Sequence, residues 1–217
     1  MLRFSTNNHD YKKFDLFAFD MDGTLYDEFD FIKQAYGAVA RYIANDENKY
    51  DSVYSFMLNT WMEYGSSKTD TFQLAFQTVD RVINESDIKK CIELFRNCKL
   101  QLSLTGRTKF ILDLVKRSGK EMILITDGNS ALQRKKIEVL GLQYWFSEDS
   151  IFISGDYGKE YQKPGTLILE KVKEKITLKG RKICYLGDRQ VDKLFADAAG
   201  FEFYYAPCMQ IAEGRSA

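Results

Sequence analysis

The stretch Phe14–Glu28, FDLFAFDMDGTLYDE, carries a mostly apolar run into Asp20, repeats an acid at Asp22, and follows it at once with Gly23 and Thr24. A short apolar run bounded by turn residues reads as a buried strand. Side chains of a strand alternate faces with a period of two, so Asp20 and Asp22 point the same way while the chain stays extended. Two carboxylates side by side repel. Either a positive charge lies near them or one of them holds a proton.

The same kind of run recurs at Glu121–Asp127, Ile151–Ser154, Lys182–Asp188 and Phe201–Tyr205, which read as further buried strands of a parallel sheet. Between them lie segments of helical period at Lys109–Arg117, Ser130–Leu140, Pro164–Lys175 and Asp192–Ala199. Gly119, Gly141 and Gly200 suit the left-handed residue after a helix end, and Pro164 suits a first helical position. Strand and helix in alternation predict an α/β sheet with helices on both faces.

From about Tyr26 to Gly106 this rhythm stops. Phe29, Ile32, Tyr36, Val39 and Ile43 are spaced three and four apart, as are Ile88, Cys91, Phe95, Cys98 and Leu102. Similar stripes run over Tyr50–Tyr64 and Phe72–Val82, with Gly65–Thr69 as a loop between them and Ser86 as the expected N-cap of the last helix. The segment is an all-helical insert after the first strand.

With 217 residues, 45% of them hydrophobic, the chain is long enough for one domain or one domain with an insertion. Its 31 basic and 31 acidic residues cancel, so no global field selects nucleic acid or an anionic membrane, and the expected partner is small. No run approaches the roughly 20 apolar residues of a membrane span. The first residues lack the apolar core of a secretory signal, so a cytoplasmic location is the default expectation. Cys91, Cys98, Cys184 and Cys208 form no C-x-x-C pair, and the sole histidine, His9, lies in a polar leading segment. Histidine-dependent nucleophiles and most transition-metal sites are thereby nearly excluded. Catalysis would have to use carboxylates, lysine, hydroxyls and a hard cation.

Ligands of open α/β sheets bind outside the carboxyl ends of the strands. Those ends here carry Asp20 and Asp22, then Thr126, Asp127, Gly128 and Asn129, then Gly187 and Asp188 with Asp192 after them; Lys163 precedes a helix. Carboxylates from different strands without histidine suit a hard, oxygen-preferring ion, with Mg²⁺ the leading choice. Backbone amides at a helix start beside Thr126 suit a phosphate. Taken singly the residues have bland readings: Asp22-Gly23 as a turn, Thr126 as a helix cap, Lys163 as a surface lysine, Asp192 as a helix-start acid.

Taken together, FDMDGTL (Phe19–Leu25), ITDGNS (Ile125–Ser130), KPG (Lys163–Gly165) and GDRQVD (Gly187–Asp192) resemble, in order and spacing, the four motifs of the haloacid dehalogenase superfamily. QRKKIEVLGL (Gln133–Leu142) resembles the helix that follows its second motif, and the likeness is to the phosphoglycolate phosphatase and beta-phosphoglucomutase group. Asp127 departs from the asparagine many members carry. The resemblance implies a Rossmann-like three-layer α/β/α core at residues 1–25 and 106–217, with a helical cap domain at 26–105.

It also implies roles. Asp20 is the nucleophile that forms an aspartyl-phosphate; Mg²⁺ sits among Asp20, Asp188, Asp192 and Asp22, the last through its backbone carbonyl. Asp192 acts from behind, orienting a metal-bound water or Lys163. Lys163 places a second positive charge on the transferring oxygens, and Thr126, Asp127 and Gly128 meet the phosphate. Asp22 is the general acid and then the base, a role that needs it to hold a proton, as two carboxylates sharing a site allow. The implied activity is hydrolysis of a small phosphomonoester such as a sugar phosphate, phosphoglycolate or nucleoside monophosphate. The rivals are a phosphomutase or phosphotransferase of the same fold and a non-catalytic phosphometabolite-binding module. A true dehalogenase has no need of Asp22 and Asp188, and a receiver domain has no large insert. Specificity is expected in the cap near Trp61, Tyr64, Ser66, Ser67 and Lys68, although Trp61 and Tyr64 lie on an apolar helical stripe and better suit a helix core.

Overall fold

The structure, a computed structural model, describes residues 10–209, so His9 lies outside the described residues. The chain divides into two compact units, one holding the residues up to Glu28 and from Leu102 onward, the other Phe29–Gln101.

The first unit is built on five parallel strands, β1 (Leu16–Phe19), β2 (Glu121–Thr126), β3 (Ile151–Ile153), β4 (Ile183–Gly187) and β5 (Glu202–Tyr205), in the order β3-β2-β1-β4-β5. β1 is central and buried along its whole length, as its unbroken apolar run requires. Leu16 and Ala18 face one core with Ile123, Ile125 and Phe152, against α7 (Ile168–Lys175) and α8 (Gln190–Ala199). Phe17 and Phe19 face the other way, where Phe19 meets Phe146 edge to face at 5.8 Å and α5 (Gly106–Arg117) packs on β2. The result is a Rossmann-like three-layer α/β/α fold. The chain moves outward from β1 to β3, then returns to place β4 on the other flank of β1. The carboxyl ends of β1 and β4 therefore bracket the point where the winding reverses, the place at which such sheets bind ligands.

The second unit contains α1 from its second residue (the helix is Glu28–Ala44), then α2 (Glu47–Tyr64), α3 (Thr71–Gln77) and α4 (Glu85–Asn97). Phe31, Tyr36, Phe72 and Phe95 form its aromatic core, with ring centroids 5.1 to 6.3 Å apart. Cys91 and Cys98 are buried and unbridged. No described helix is long and apolar enough to cross a membrane.

Local chemistry moved several helix ends. The N-cap of α4 is Asn84, not Ser86: Asn84 Oδ1 accepts the Asp87 N–H and Asp87 Oδ2 accepts the Asn84 N–H, each at 3.1 Å. The stripe expected over Phe72–Val82 ends at Gln77, because Asp80 adopts φ 53° and Val82 is 91% exposed. Pro164 does not open α7. The chain turns there instead, with the Gly165 N–H on Gln162 O at 3.1 Å, and the helix begins at Ile168. α8 starts two residues earlier than Asp192, which becomes its third residue.

Candidate functional site

β1 delivers Asp20 one residue past its end, and the Asp20 N–H is held by Leu186 O of β4 at 2.9 Å. The side chain is buried. Its Oδ1 accepts from Lys163 Nζ at 2.5 Å, and the same ammonium donates to Asp192 Oδ1 at 2.6 Å and Tyr185 Oη at 3.2 Å. An ammonium has three protons, so Lys163 is fully engaged. Its backbone N–H is also anchored, on Asp127 Oδ2 at 3.1 Å.

Thr24 Oγ1 stands 3.2 Å from Asp20 Oδ2 and 3.1 Å from Asp188 Oδ1, and its single proton serves one of them at a time. Asp192, at the third position of α8, accepts the Arg189 N–H through Oδ2 at 3.1 Å, which fixes its carboxylate while Oδ1 meets Lys163. Two glycines make room. A Cβ on Gly23, whose φ is +77°, would stand 2.3 Å from Asp188 Oδ2, and one on Gly187 would stand 2.5 Å from Asp192 Cβ.

Asp20, Asp188 and Asp192 each offer an oxygen within 4.8 Å of the others. Against them stands one buried ammonium, and the imbalance shows in their proton affinities. Burial pushes the Asp20 carboxyl well above the usual range; Lys163 pulls against that, while Asp192 and Asp188 add to it. Burial and the neighbouring Asp192 push Asp188 up to about 6. Burial opposes the charge on Lys163, yet Asp20, Tyr185, Asp192 and Asp127 outweigh it and hold the ammonium's pKa well above its ordinary value. Acids and base shift the same way because the buried carboxylates outnumber the ammonium, so the cluster holds protons more tightly. A hard cation with oxygen ligands fits this donor set.

Asp22 is not part of that cluster. Its Oδ1 accepts from Lys136 Nζ at 2.7 Å and from the Tyr26 hydroxyl, and its Oδ2 accepts from Gln133 Nε2 at 2.7 Å. Burial works to raise this carboxyl, but Lys136, Tyr26 and Gln133 outweigh it and hold it below the usual carboxylate range. In the substrate-free site the donors around Asp22 therefore favour its carboxylate form, whereas the proton expected on Asp22 belongs to the moment of attack. The carboxylate is ionised because its compensating charge is Lys136.

Gln133 and Lys136 lie on α6 (Ser130–Val139), three residues apart and on one face. Gln133 Nε2 also stands 2.8 Å from Thr126 Oγ1 and 3.0 Å from Asp127 O, so its two protons are shared among three acceptors and tie the end of β2 to Asp22. Neither residue, nor Tyr26, was singled out from sequence. The available signal was that Gln133 and Lys136 share the buried face of α6 with Leu132 and Ile137, a face where an unpaired lysine would not be tolerated.

Thr126 is buried and does not cap α6; Asn129 does, accepting the Leu132 N–H at 3.2 Å. Gly128 has φ +135°, and its N–H points to Ser154 Oγ at 3.4 Å. Asp127 Oδ1 is buried without a hydrogen-bond partner among the described residues, and burial lifts the Asp127 pKa. In the helical unit, Trp61 packs on Phe29 at 5.8 Å and donates to Ser66 Oγ at 3.2 Å. Lys68 pairs with Asp70 at 3.0 Å, and Tyr64 is exposed. The Ser67 side chain lies outside what is described.

The family model for haloacid dehalogenase-like hydrolases matches residues 14–200. No curated protein sequence matches the chain. Among solved structures, a haloacid dehalogenase-like family hydrolase from Xanthomonas campestris is 17% identical, with 94% of this chain and 87% of that one covered and a TM-score of 0.60. The magnesium-bound protein assigned as HAD-hydrolase YfnB of Bacillus subtilis is 18% identical over 89% of this chain and 86% of its own, with a TM-score of 0.60. A Thermotoga maritima protein assigned as a beta-phosphoglucomutase is 18% identical over 88% and 84%, with a TM-score of 0.52. At these identities the structures speak for the fold.

Proposed function

The chain belongs to the haloacid dehalogenase-like hydrolases, and on that premise we propose that it is a Mg²⁺-dependent phosphatase of a small phosphomonoester, working through a phosphorylated Asp20. The observation that carries this reading is the buried Asp20 held by Lys163 at 2.5 Å, with oxygens of Asp188 and Asp192 within 4.8 Å. One Asp20 oxygen accepts Lys163 while the other meets only the weakly held Thr24 hydroxyl at 3.2 Å, so an attacking lone pair is available there.

Asp20 and Asp188, backed by Asp192, would hold the ion, which supplies charge relief when an anionic carboxylate meets an anionic phosphoryl group. Lys163 adds a fixed positive charge beside the transferring oxygens, and Asp192 and Tyr185 hold its ammonium in place. Thr126 and the backbone around Gly128 face the phosphate. Asp22 gives a proton to the leaving oxygen as Asp20 is phosphorylated, and the carboxylate so formed takes the proton of the water that hydrolyses the aspartyl-phosphate, which returns Asp22 to its starting state for that step. We place substrate selection in the inserted helical unit.

The test is hydrolysis of p-nitrophenyl phosphate with Mg²⁺, lost on chelation and restored when Mg²⁺ is returned. Activity that survives thorough chelation would sink the reading, and an isomerised sugar phosphate without free phosphate would turn it into a mutase.

Two further outcomes are expected. Asp188, with a pKa of about 6, must shed a proton to receive the ion, so apparent Mg²⁺ affinity falls by at least about tenfold per pH unit below 6. The linked stability has the opposite slope. A carboxyl whose folded pKa is raised stabilises the ion-free protein at low pH, and that contribution is lost as pH rises through about 6. The thermal shift given by Mg²⁺ therefore grows between pH 5 and 7, as a melting series would show. For Gly23→Ala, the new methyl group enters the space of Asp188, 2.3 Å from Oδ2, and Mg²⁺ affinity drops on the order of 10-fold or more, measured by titrating activity against Mg²⁺.

A further inference from the structure

Lys136 has no part in the chemistry proposed so far, yet only 4% of its side chain is exposed, and its ammonium donates to Asp22 Oδ1 at 2.7 Å. An ammonium taken from water on a buried helix face, beside Leu132 and Ile137, is costly unless it is paired. We propose that Lys136 is the positioning residue of Asp22, fixing which oxygen of that carboxylate acts as the base; the inference rests on the phosphatase reading above.

The argument is one of lone pairs. An ionised carboxylate offers about four acceptor positions. At Asp22, Lys136 and Tyr26 take two on Oδ1, and Gln133 takes one on Oδ2. The remaining position is on Oδ2. Gln133 Nε2 also reaches Thr126 Oγ1 at 2.8 Å, so the oxygen left open is tied to the hydroxyl assigned to the phosphate. In the second half of the reaction, water oxygen bonds to phosphorus as the bond from phosphorus to Asp20 breaks. The electron pair returns to the Asp20 carboxylate, and the water proton passes to Asp22 Oδ2. Without Lys136, Oδ1 keeps only the Tyr26 hydroxyl, and Asp22 loses the charged donor that fixes its carboxylate in that position.

The experiment is rapid-quench kinetics with p-nitrophenyl phosphate and Mg²⁺, whose leaving group needs no proton, so phosphorylation of Asp20 is spared. Lys136→Met is expected to give a burst near one p-nitrophenolate per active site and to accumulate acid-stable phosphoenzyme. Turnover after the burst falls on the order of 10- to 100-fold, and KM falls with kcat. A structural role would lower the burst amplitude and leave turnover per active site unchanged, which would overturn the proposal.

Because Lys136→Met strands a buried carboxylate, the double variant Asp22→Asn/Lys136→Met removes both charges together. Its kcat is expected to equal that of Asp22→Asn alone, since Lys136 acts only through Asp22; a further large loss would overturn the proposal. Wild-type protein that releases no p-nitrophenolate and forms no phosphoenzyme would remove the phosphatase reading itself. Active wild type with an unaffected Lys136→Met would remove this inference alone.

Discussion

Asp20→Asn is expected to lose turnover of p-nitrophenyl phosphate by on the order of 10⁴-fold or more, the scale on which removal of a nucleophile acts in covalent catalysis. The amide keeps the shape of the carboxylate and can still accept from Lys163, so the site remains assembled. It cannot supply the anionic lone pair that bonds to phosphorus. Folding should not suffer. The Asp20 carboxyl lies well above its ordinary range because burial, Asp192 and Asp188 oppose its charge, so the ion-free protein gains by losing that charge. The variant should melt no lower than wild type in chelator while forming no phosphoenzyme. An Asp20→Asn protein that hydrolyses the ester as fast as wild type would remove Asp20 from the chemistry.

Lys163→Ala should combine a catalytic and a structural loss. Its side chain is completely buried and its ammonium lies between Asp20 Oδ1 at 2.5 Å and Asp192 Oδ1 at 2.6 Å. Taking it away removes fixed positive charge from the transferring oxygens, and kcat should fall on the order of 10²-fold or more. It also leaves two buried carboxylates facing each other. Breaking a buried pair from one side costs about 3–5 kcal/mol, which for a chain of this size lowers the melting temperature on the order of 10 °C. Mg²⁺ restores part of that stability, because it brings positive charge back to the same oxygens. Equal melting curves in chelator with and without the substitution would contradict the charge balance described for the cluster.

Strand β1, the parallel sheet and the helical insert were legible because a short unbroken apolar run bounded by turn residues suits a strand covered on both faces, while a stripe of period 3.6 suits a helix covered on one. The candidate acids were legible for a related reason. Residues just past the carboxyl ends of parallel strands must converge, so Asp20, Thr126 and Asp188 shared a neighbourhood before any coordinate was known. Helix ends were less legible, as Asn84 and Pro164 show, because a cap depends on which hydroxyl, amide or carboxylate reaches a backbone N–H first.

The sequence by itself determined the α/β class, the inserted helices and the acidic residues at the strand ends, since these follow from local periodicity and from where a strand must stop. Only the tertiary structure decided the charge state of Asp22. In the linear chain its nearest ionisable neighbour on the same face is Asp20, which would favour a proton on one of them. In the fold the rotation of α6 brings Lys136, 114 residues away, to 2.7 Å and Gln133 to the other oxygen, and a carboxylate surrounded by donors stays ionised. Sequence adjacency predicted repulsion between two acids; three-dimensional packing gave each acid its own cation.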